Sequence, residues 1–484
     1  MNFLIKLFPE MTIKSKPVRK QQTRQLRQNI RRILVRLDER IAVTGRWDKL
    51  EVAVPDDVAD LGAKVADELQ RIPGIANILE VRDYPLTDFD DVLEKTLQSY
   101  REQVAGKRFE VRVKRAGKHE FSSQQLERYL GGGLRDHCDG AVVDLSNPDV
   151  TVQLEVRDNR YYIIERRYEG LGGFPIGSLD TVISLVSGGF DSVVATYLAM
   201  RRGLRSHFLF FNLGGMAHEA GVKQVALYLW ERYGSSHNVR FISVPFEDVI
   251  GEMMRSVHHS QRGVILKRLM LRAAERIAAE MHVPALVTGE SVAQVSSQTL
   301  TNLSVIDQAS KMMVLRPLIM MDKQDIIRIA RDIGTEEFAK NMPEYCGVIS
   351  DRPTTRARDY RIEYNESLFD DAVLEAAIEN RTVMNVAEVL DSQATALGDV
   401  DVVTTPAVED VVVDIRHPGE EEKDPLHLTN NDVLRIPFYE LNQRFAELSP
   451  DRRYLLYCDK GTMSQMHASH LKASGHENVL VYKP

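Results

Sequence analysis

Ile183-Ser-Leu-Val-Ser-Gly-Gly-Phe-Asp-Ser192 decides how the rest of the chain is read. Its first residues suit a buried strand. Ser187-Gly188-Gly189 then lets the backbone turn tightly, and a helical apolar pattern opens around Asp191 and Ser192. Such a junction attracts anions, because glycines admit close approach and unbonded N–H groups collect at a helix N-terminus. Two other phosphate patterns are missing. The loop lacks the lysine of G-x-x-x-x-G-K-[ST], and G-x-G-x-x-G follows no strand.

Downstream of the loop, short apolar strands over 181–187, 206–212, 239–245, 285–288 and 312–316 alternate with helical patterns near 192–202, 218–233, 263–281 and 323–333. Continuous apolar strands between helices predict a parallel sheet covered on both faces. Upstream, an alternating strand over 2–8, a helix over 17–38 and the pattern through Ile78-Leu-Glu-Val81 give the order β-α-β-α-β, a small ferredoxin-like unit. A second α+β unit follows. It has a helix over 88–104, the alternating strand Arg108 to Arg115, a helix from Ser123 to Leu134 containing Gly131-Gly132-Gly133, and strands over 150–156 and 161–165. Residues 170–177 read as a linker or loop. An acidic, helix-rich stretch covers about 360–395. Strands at 411–415, 433–437, 453–457 and 479–482, with a helix over 464–473, form a last unit.

The 484 residues are 43% hydrophobic and 27% charged, an ordinary globular composition. No stretch reaches the roughly 20 apolar residues of a membrane helix. Lys6 and Pro9 interrupt the N-terminal apolar run, so no signal peptide is expected. Three cysteines, Cys138, Cys346 and Cys458, cannot build a disulfide framework and fit a reducing compartment. The expectation is a cytoplasmic multidomain protein that engages no membrane. Net charge is −8, yet residues 361–484 alone hold 11 basic against 23 acidic side chains. Ten bases against Glu10 over residues 6–36, and six over Lys107–Lys118 (Lys107, Arg108, Arg112, Lys114, Arg115, Lys118), mark local polyanion sites or solvated faces. Zinc, H-E-x-x-H and EF-hand patterns are absent, so no metal site is expected.

The loop Ser-Gly-Gly-x-Asp-Ser after a first α/β strand resembles the PP-loop ATP pyrophosphatases. Four further stretches, Leu4-Ile-Lys-Leu-Phe-Pro-Glu10, Phe211-Asn-Leu-Gly-Gly215, Thr288-Gly-Glu290 with Gln294 to Asn302, and Pro343 to Ser350, are similar to the tRNA 4-thiouridine synthetase (tRNA sulfurtransferase, ThiI) family, in its long form with a C-terminal rhodanese domain. The resemblance spans essentially the whole chain. It implies a multidomain α/β and α+β protein: a ferredoxin-like domain over 1–62, a THUMP RNA-binding domain over 63–167, a PP-loop parallel-sheet adenylating domain over 168–395, a linker over 396–405 and a rhodanese-like α/β domain over 406–484. It implies ATP contacts at Leu185, Val186, Ser187, Gly188, Gly189, Asp191, Ser192, Lys267, Gly289 and Gln298, with Mg²⁺ alongside. Asp191 is the acid needed for adenylation, and Lys323 supports the site. Lys107–Lys118 and Gly131–Gly133 become the RNA-contacting surface.

Tyr454-Leu-Leu-Tyr-Cys458-Asp-Lys-Gly-Thr-Met-Ser464 reads as strand, loop and helix, and resembles the rhodanese loop Cys-x-x-Gly-x-x-Ser. Asp414-Ile-Arg416 resembles that domain's Asp-x-Arg. Amides at a helix N-terminus stabilise a thiolate or persulfide. Taken alone, Cys346 reads as structural or reactive; the resemblance makes it the resolving thiol, pairing transiently with Cys458. The implied activity is transfer of sulfur to uridine 8 of tRNA, adenylated at O4, from a Cys458 persulfide. The implied partners are tRNA, a cysteine desulfurase, a thiol reductant and a thiazole sulfur-carrier protein for thiamine. Competing readings are another PP-loop amide synthetase or 2-thiouridylase, an RNA-binding protein with a relic loop, and a general sulfur carrier. A paired Cys-x-x-Cys in the loop domain would favour the 2-thiouridylase and is absent; intact Asp191 and Ser192 argue against the relic.

Overall fold

The structure is a computed structural model that describes residues 1–484 except 47–48, 214, 341, 343–351, 390–399, 417–420, 423, 460 and 474. The chain separates into two compact units, residues 1–179 with 201–203, and residues 180–200 with 204–484.

The first unit is built on one eight-stranded sheet. Its strands are β1 (Asn2–Leu7), β2 (Ala42–Arg46), β3 (Lys49–Ala53), β4 (Ile75–Pro85), β5 (Arg108–Ala116), β6 (Val142–Val143), β7 (Val150–Arg157) and β8 (Arg160–Glu169), in the order β2-β3-β1-β4-β8-β7-β5-β6. The N-terminal part therefore runs β-α-β-β-α-β, not β-α-β-α-β. The antiparallel β2–β3 pair adds a strand that Gly45 and the mixed alternation of Ala-Val-Thr-Gly-Arg concealed. Its core gathers Phe3, Ile5, Leu26 and Ile30 with Val65, Leu69 and Ile78, so it runs past the expected boundary at residue 62. A second core, with Phe109, Leu130, Leu154 and Tyr161, fills the part built on β5, β7 and β8. The antiparallel ladder between β4 and β8 makes the two parts one sheet.

The helix Ser123–His137 opens on a capping box, with Ser122 and Gln125 each satisfying the other's backbone amide. Gly133 lies where a Cβ would collide with the Leu93 side chain, so this glycine lets the helices Ser123–His137 and Phe89–Val104 pack closely; at Gly132 there is open space.

The second unit holds two sheets. In the first, β9 (Thr181–Leu185), β10 (Arg205–Asn212), β11 (Arg240–Pro245), β12 (Ala285–Val287), β13 (Met313–Leu315) and β14 (Thr382–Asn385) stand in the order β13-β12-β9-β10-β11-β14. All pairs are parallel except β11–β14. The edge strand β14 lies inside the stretch read as helix-rich. Its four residues pair antiparallel with β11 and offered no helix-breaking signal. The chain leaves β9 for β10 on one side and later returns to β12 on the other. The C-terminal end of β9 is thus a topological switch point, where ligands of open α/β sheets bind. The second sheet is fully parallel: β15 (Val402–Val403), β16 (Val411–Asp414), β17 (Val433–Arg435), β18 (Tyr454–Tyr457) and β19 (Val479–Tyr482), in the order β15-β19-β18-β16-β17.

Candidate active site

The quoted loop sits at that switch point. β9 ends at Leu185, Val186 continues the ladder by donating to the Leu209 carbonyl at 2.8 Å, and the helix Phe190–Arg201 begins four residues later. Ser192 Oγ fastens the turn, accepting from the Ser187 amide at 3.1 Å and donating to the Gly189 carbonyl at 3.2 Å. Gly188 adopts φ +81°, and a Cβ there would collide with Met342. Among the described residues, the amides of Gly188 and Gly189 meet no protein acceptor. Free amides, a glycine bend and a helix N-terminus fit a phosphate.

Asp191 is held from two sides. Lys323 Nζ, at the start of the helix Lys323–Asp332, lies 2.9 and 3.0 Å from its two carboxylate oxygens, and Gln294 Nε2 donates to Oδ2 at 2.7 Å. Gly289 follows β12 and presses on the start of the helix Phe190–Arg201. A Cβ there would lie 2.5 Å from the Asp191 carbonyl carbon and 2.6 Å from the Ser192 nitrogen, so only glycine fits.

Lys267 does not stand alone. Its Nζ lies 2.8 Å from Glu290 Oε1, and Arg316 Nε lies 2.6 Å from Oε2. Burial alone would push Glu290 upward, but Lys267 and Arg316 outweigh it and hold the carboxyl at about 2. Gln298 is buried, and its side-chain Oε1 accepts from the Ser291 amide at 3.3 Å, bracing the turn after Gly289. Glu290, Arg316, Gln294 and His218, whose Nε2 lies 3.2 Å from the Ser187 carbonyl oxygen, stand outside the expected set of site residues. Gln294 and Glu290 fell inside the quoted stretches; Arg316 and His218 carried no local signal.

The second expected centre follows β18. Cys458 is buried, and its Sγ receives the Ser464 amide at 3.3 Å and the Ser464 hydroxyl at 3.4 Å. Gly461, at φ +73°, turns the loop, and its amide donates to the Cys458 carbonyl at 3.1 Å. The helix begins at Thr462, two residues before the expected 464, which places Ser464 in its first turn. Arg416 binds Asp414 through two nitrogens and reaches Asp459 at 2.8 Å, with its guanidinium 5.0 Å from the Tyr457 ring centroid. Burial and the Asp459 charge raise the Tyr457 hydroxyl. Cys346 lies outside the described residues, so its expected pairing with Cys458 has no geometry here.

Of the expected RNA surface, Arg108 pairs with Asp149 at 2.8 Å and Arg112 with Glu110 at 2.6 Å, while Lys107, Lys114, Arg115 and Lys118 are exposed. Cys138 is buried in the core beside Leu134, where burial raises its thiol.

Against known proteins, four family models match: "ThiI ferredoxin-like domain" at residues 2–78, "THUMP domain" at 87–164, "Thiamine biosynthesis protein (ThiI)" at 177–370 and "Rhodanese-like domain" at 402–483. The chain is 60% identical over 484 residues to a tRNA sulfurtransferase of Marinobacter nauticus, with both chains covered completely. It is 54% identical over 487 residues to one of Azotobacter vinelandii, again with full coverage of both. The chain belongs to the ThiI family. A solved 4-thiouridine synthetase–RNA complex with bound ATP matches with TM-score 0.70 at 27% identity, over 79% of this chain and 99% of its own. Pyrococcus horikoshii PH1313 shares the fold, with TM-score 0.53 at 18% identity over 69% of this chain and 100% of its own. As a ThiI-family member the chain combines the ferredoxin-like, THUMP, PP-loop and rhodanese folds expected of it. No described helix is long and apolar enough to cross a membrane.

Proposed function

We propose that this chain is an ATP-dependent tRNA sulfurtransferase that converts uridine 8 to 4-thiouridine. The observation that carries the reading is Asp191, fixed by Lys323 and Gln294 beside a glycine loop at the switch point, in a chain that also cradles Cys458 in a rhodanese-type loop. The named relatives and the ATP- and RNA-bound neighbour support it.

ATP phosphates lie against the amides of Gly188 and Gly189, with Leu185, Val186, Ser187 and Ser192 shaping the loop. Asp191 is the carboxylate here that would hold a Mg²⁺, whose charge would offset that of the phosphates. Gly289 and Gln298 hold the far wall, and Lys267 keeps Glu290 in place beside it. Uridine O4 attacks the α-phosphate and pyrophosphate leaves. The loop contributes mainly positioning and electrostatic stabilisation. A cysteine desulfurase loads Cys458 as a persulfide, whose anion the Ser464 amide and hydroxyl stabilise. The terminal sulfur attacks C4 and AMP leaves. Cys346 then attacks the Cys458 sulfur, releasing the thiolated base and forming a Cys346–Cys458 disulfide that a thiol reductant opens. The same persulfide would also serve as sulfur donor to a thiazole carrier protein, a role that needs the rhodanese part and not necessarily ATP at this chain's own loop. An enzyme that works on tRNA and takes sulfur from a desulfurase would act in the cytoplasm.

The test supplies tRNA, ATP, cysteine and a cysteine desulfurase to wild type, Asp191→Ala and Cys458→Ala, and reads AMP and thiouridine absorbance. Wild type should thiolate, Asp191→Ala should release no AMP, and Cys458→Ala should release AMP without thiolation. Sulfur uptake by Cys458 with no tRNA-dependent AMP from any variant would instead make the chain a sulfur carrier.

A further inference from the structure

Residues 352–364 read Arg-Pro-Thr-Thr-Arg-Ala-Arg-Asp-Tyr-Arg-Ile-Glu-Tyr. The four arginines, 352, 356, 358 and 361, are exposed, and among the described residues none makes an ion pair. The surroundings make that unusual. The acids just beyond it, Glu366, Asp371 and Glu375, are taken by Arg268, Arg272 and Arg276, and the strip's own Asp359 and Glu363 balance two of its four arginines. A strip that holds four arginines against two acids, on a chain of net charge −8, offers a local site for an anion from outside.

Aromatic rings stand among these charges. Tyr360 and Tyr364 are 58% and 64% exposed, one turn apart on the helix Asp359–Glu366, whose other face buries Ile362 and Asn365. The Arg361 guanidinium lies 5.9 Å from the Tyr360 ring centroid, and its Nε donates to the Tyr360 hydroxyl at 3.2 Å. Exposed rings interleaved with arginine present both stacking faces and phosphate donors, the combination that grips unpaired nucleotides.

The strip is also fastened to the candidate active site. Asn302 is fully buried; its amide donates to the Thr354 carbonyl at 2.8 Å and its oxygen accepts from Ala357 at 2.8 Å. Thr299 Oγ1 donates to the Thr355 carbonyl at 2.9 Å. The same 294–302 segment reaches Asp191 through Gln294.

The geometry points to residues 352–364 as an RNA-contact strip of the adenylating module, its arginines taking phosphates and Tyr360 and Tyr364 stacking on unstacked bases of the strand that enters the site. It rests on the proposed RNA substrate and places a contact outside the ferredoxin-like and THUMP surfaces.

The test measures tRNA affinity of the full chain over a series of salt concentrations. Arg356→Gln with Arg358→Gln should lower the salt slope by about two and weaken binding roughly tenfold or more. Tyr364→Ala should weaken binding by roughly fivefold or more, and Tyr364→Phe should restore it. ATP affinity without RNA should stay at the wild-type value, which reports an intact fold. Unchanged slope and affinity in both variants would overturn the inference, as would loss of sulfur uptake from the desulfurase with tRNA binding intact, which would mark a protein-docking face. A wild type that binds tRNA but makes no AMP would sink the proposed function and leave this comparison readable.

Discussion

Gly289 shows how much a single side chain can decide. A methyl there would meet backbone atoms of Asp191 and Ser192 that cannot swing away. Gly289→Ala should therefore cost about 1–3 kcal/mol and raise the KM for ATP by shifting the helix start, seen in a melting curve and in AMP kinetics. Glu290 is the anion between two cations, and Glu290→Gln would strand Lys267 and leave Arg316 with Asp307 alone; a loss of about 3 kcal/mol in urea unfolding is expected. His207 gives a pH signature. Burial, with Arg205 and Arg240 nearby, lowers it to about 4, so the folded chain keeps it neutral while the unfolded chain protonates it near its ordinary value. Stability is then complete above about pH 6.5 and falls toward pH 4, by on the order of 3 kcal/mol. Urea midpoints at pH 7 and pH 4.5 should differ less for His207→Gln than for wild type; an equal difference in both would refute the assignment. Residues with local partners were legible in advance. Cys458 and Ser464 are six apart and Asp414 and Arg416 two, and the structure joins each pair by hydrogen bonds. Glu290 and Arg316, or Ser187 and His218, meet only because strands far apart in sequence lie side by side, and no spacing rule announces that.

Among the elements, the same division holds. Continuous apolar runs set between long helical patterns declared themselves, which is why a parallel sheet around the loop could be expected from the residues, though not its strand order. Short pieces that depend on a neighbour did not. β2 pairs with β3, and β14 exists through its ladder to β11. Asn302 is the buried clasp between two such irregular segments, satisfying the carbonyls of Ser296 and Thr354 and the amide of Ala357. Asn302→Ala should cost roughly 2–4 kcal/mol, because buried backbone groups lose their partners. It should also weaken ATP and tRNA binding together, since the clasp ties the 294–302 segment to the 352–364 strip. Hydrogen exchange that stays slow at Ala357 in the variant would contradict that coupling.

For the whole molecule, the question is whether the proposed adenylation and the proposed sulfur handling are separable. The last parallel sheet carries its own core, with Val412, Leu455 and Tyr482 packed around Cys458's strand. Its contact with the PP-loop part includes Phe438, whose ring centroid lies 4.5 Å from that of Phe338, with Tyr228 5.1 Å from Phe338. Aromatic pairs of this kind are worth about 0.5–1.5 kcal/mol each beyond their buried area. A chain ending before residue 402 should therefore melt somewhat lower, with Phe338 and Tyr228 newly exposed, yet keep the Asp191–Lys323–Gln294 arrangement. It should bind tRNA and release AMP, but form no thiouridine when desulfurase and cysteine are supplied. Phe438→Ala in the full chain separates the two consequences: it should lose the contact's stability while keeping Cys458 and thiolation. Loss of AMP formation by the shortened chain at temperatures where it remains folded would show that the rhodanese part completes the adenylation site and does not only serve it.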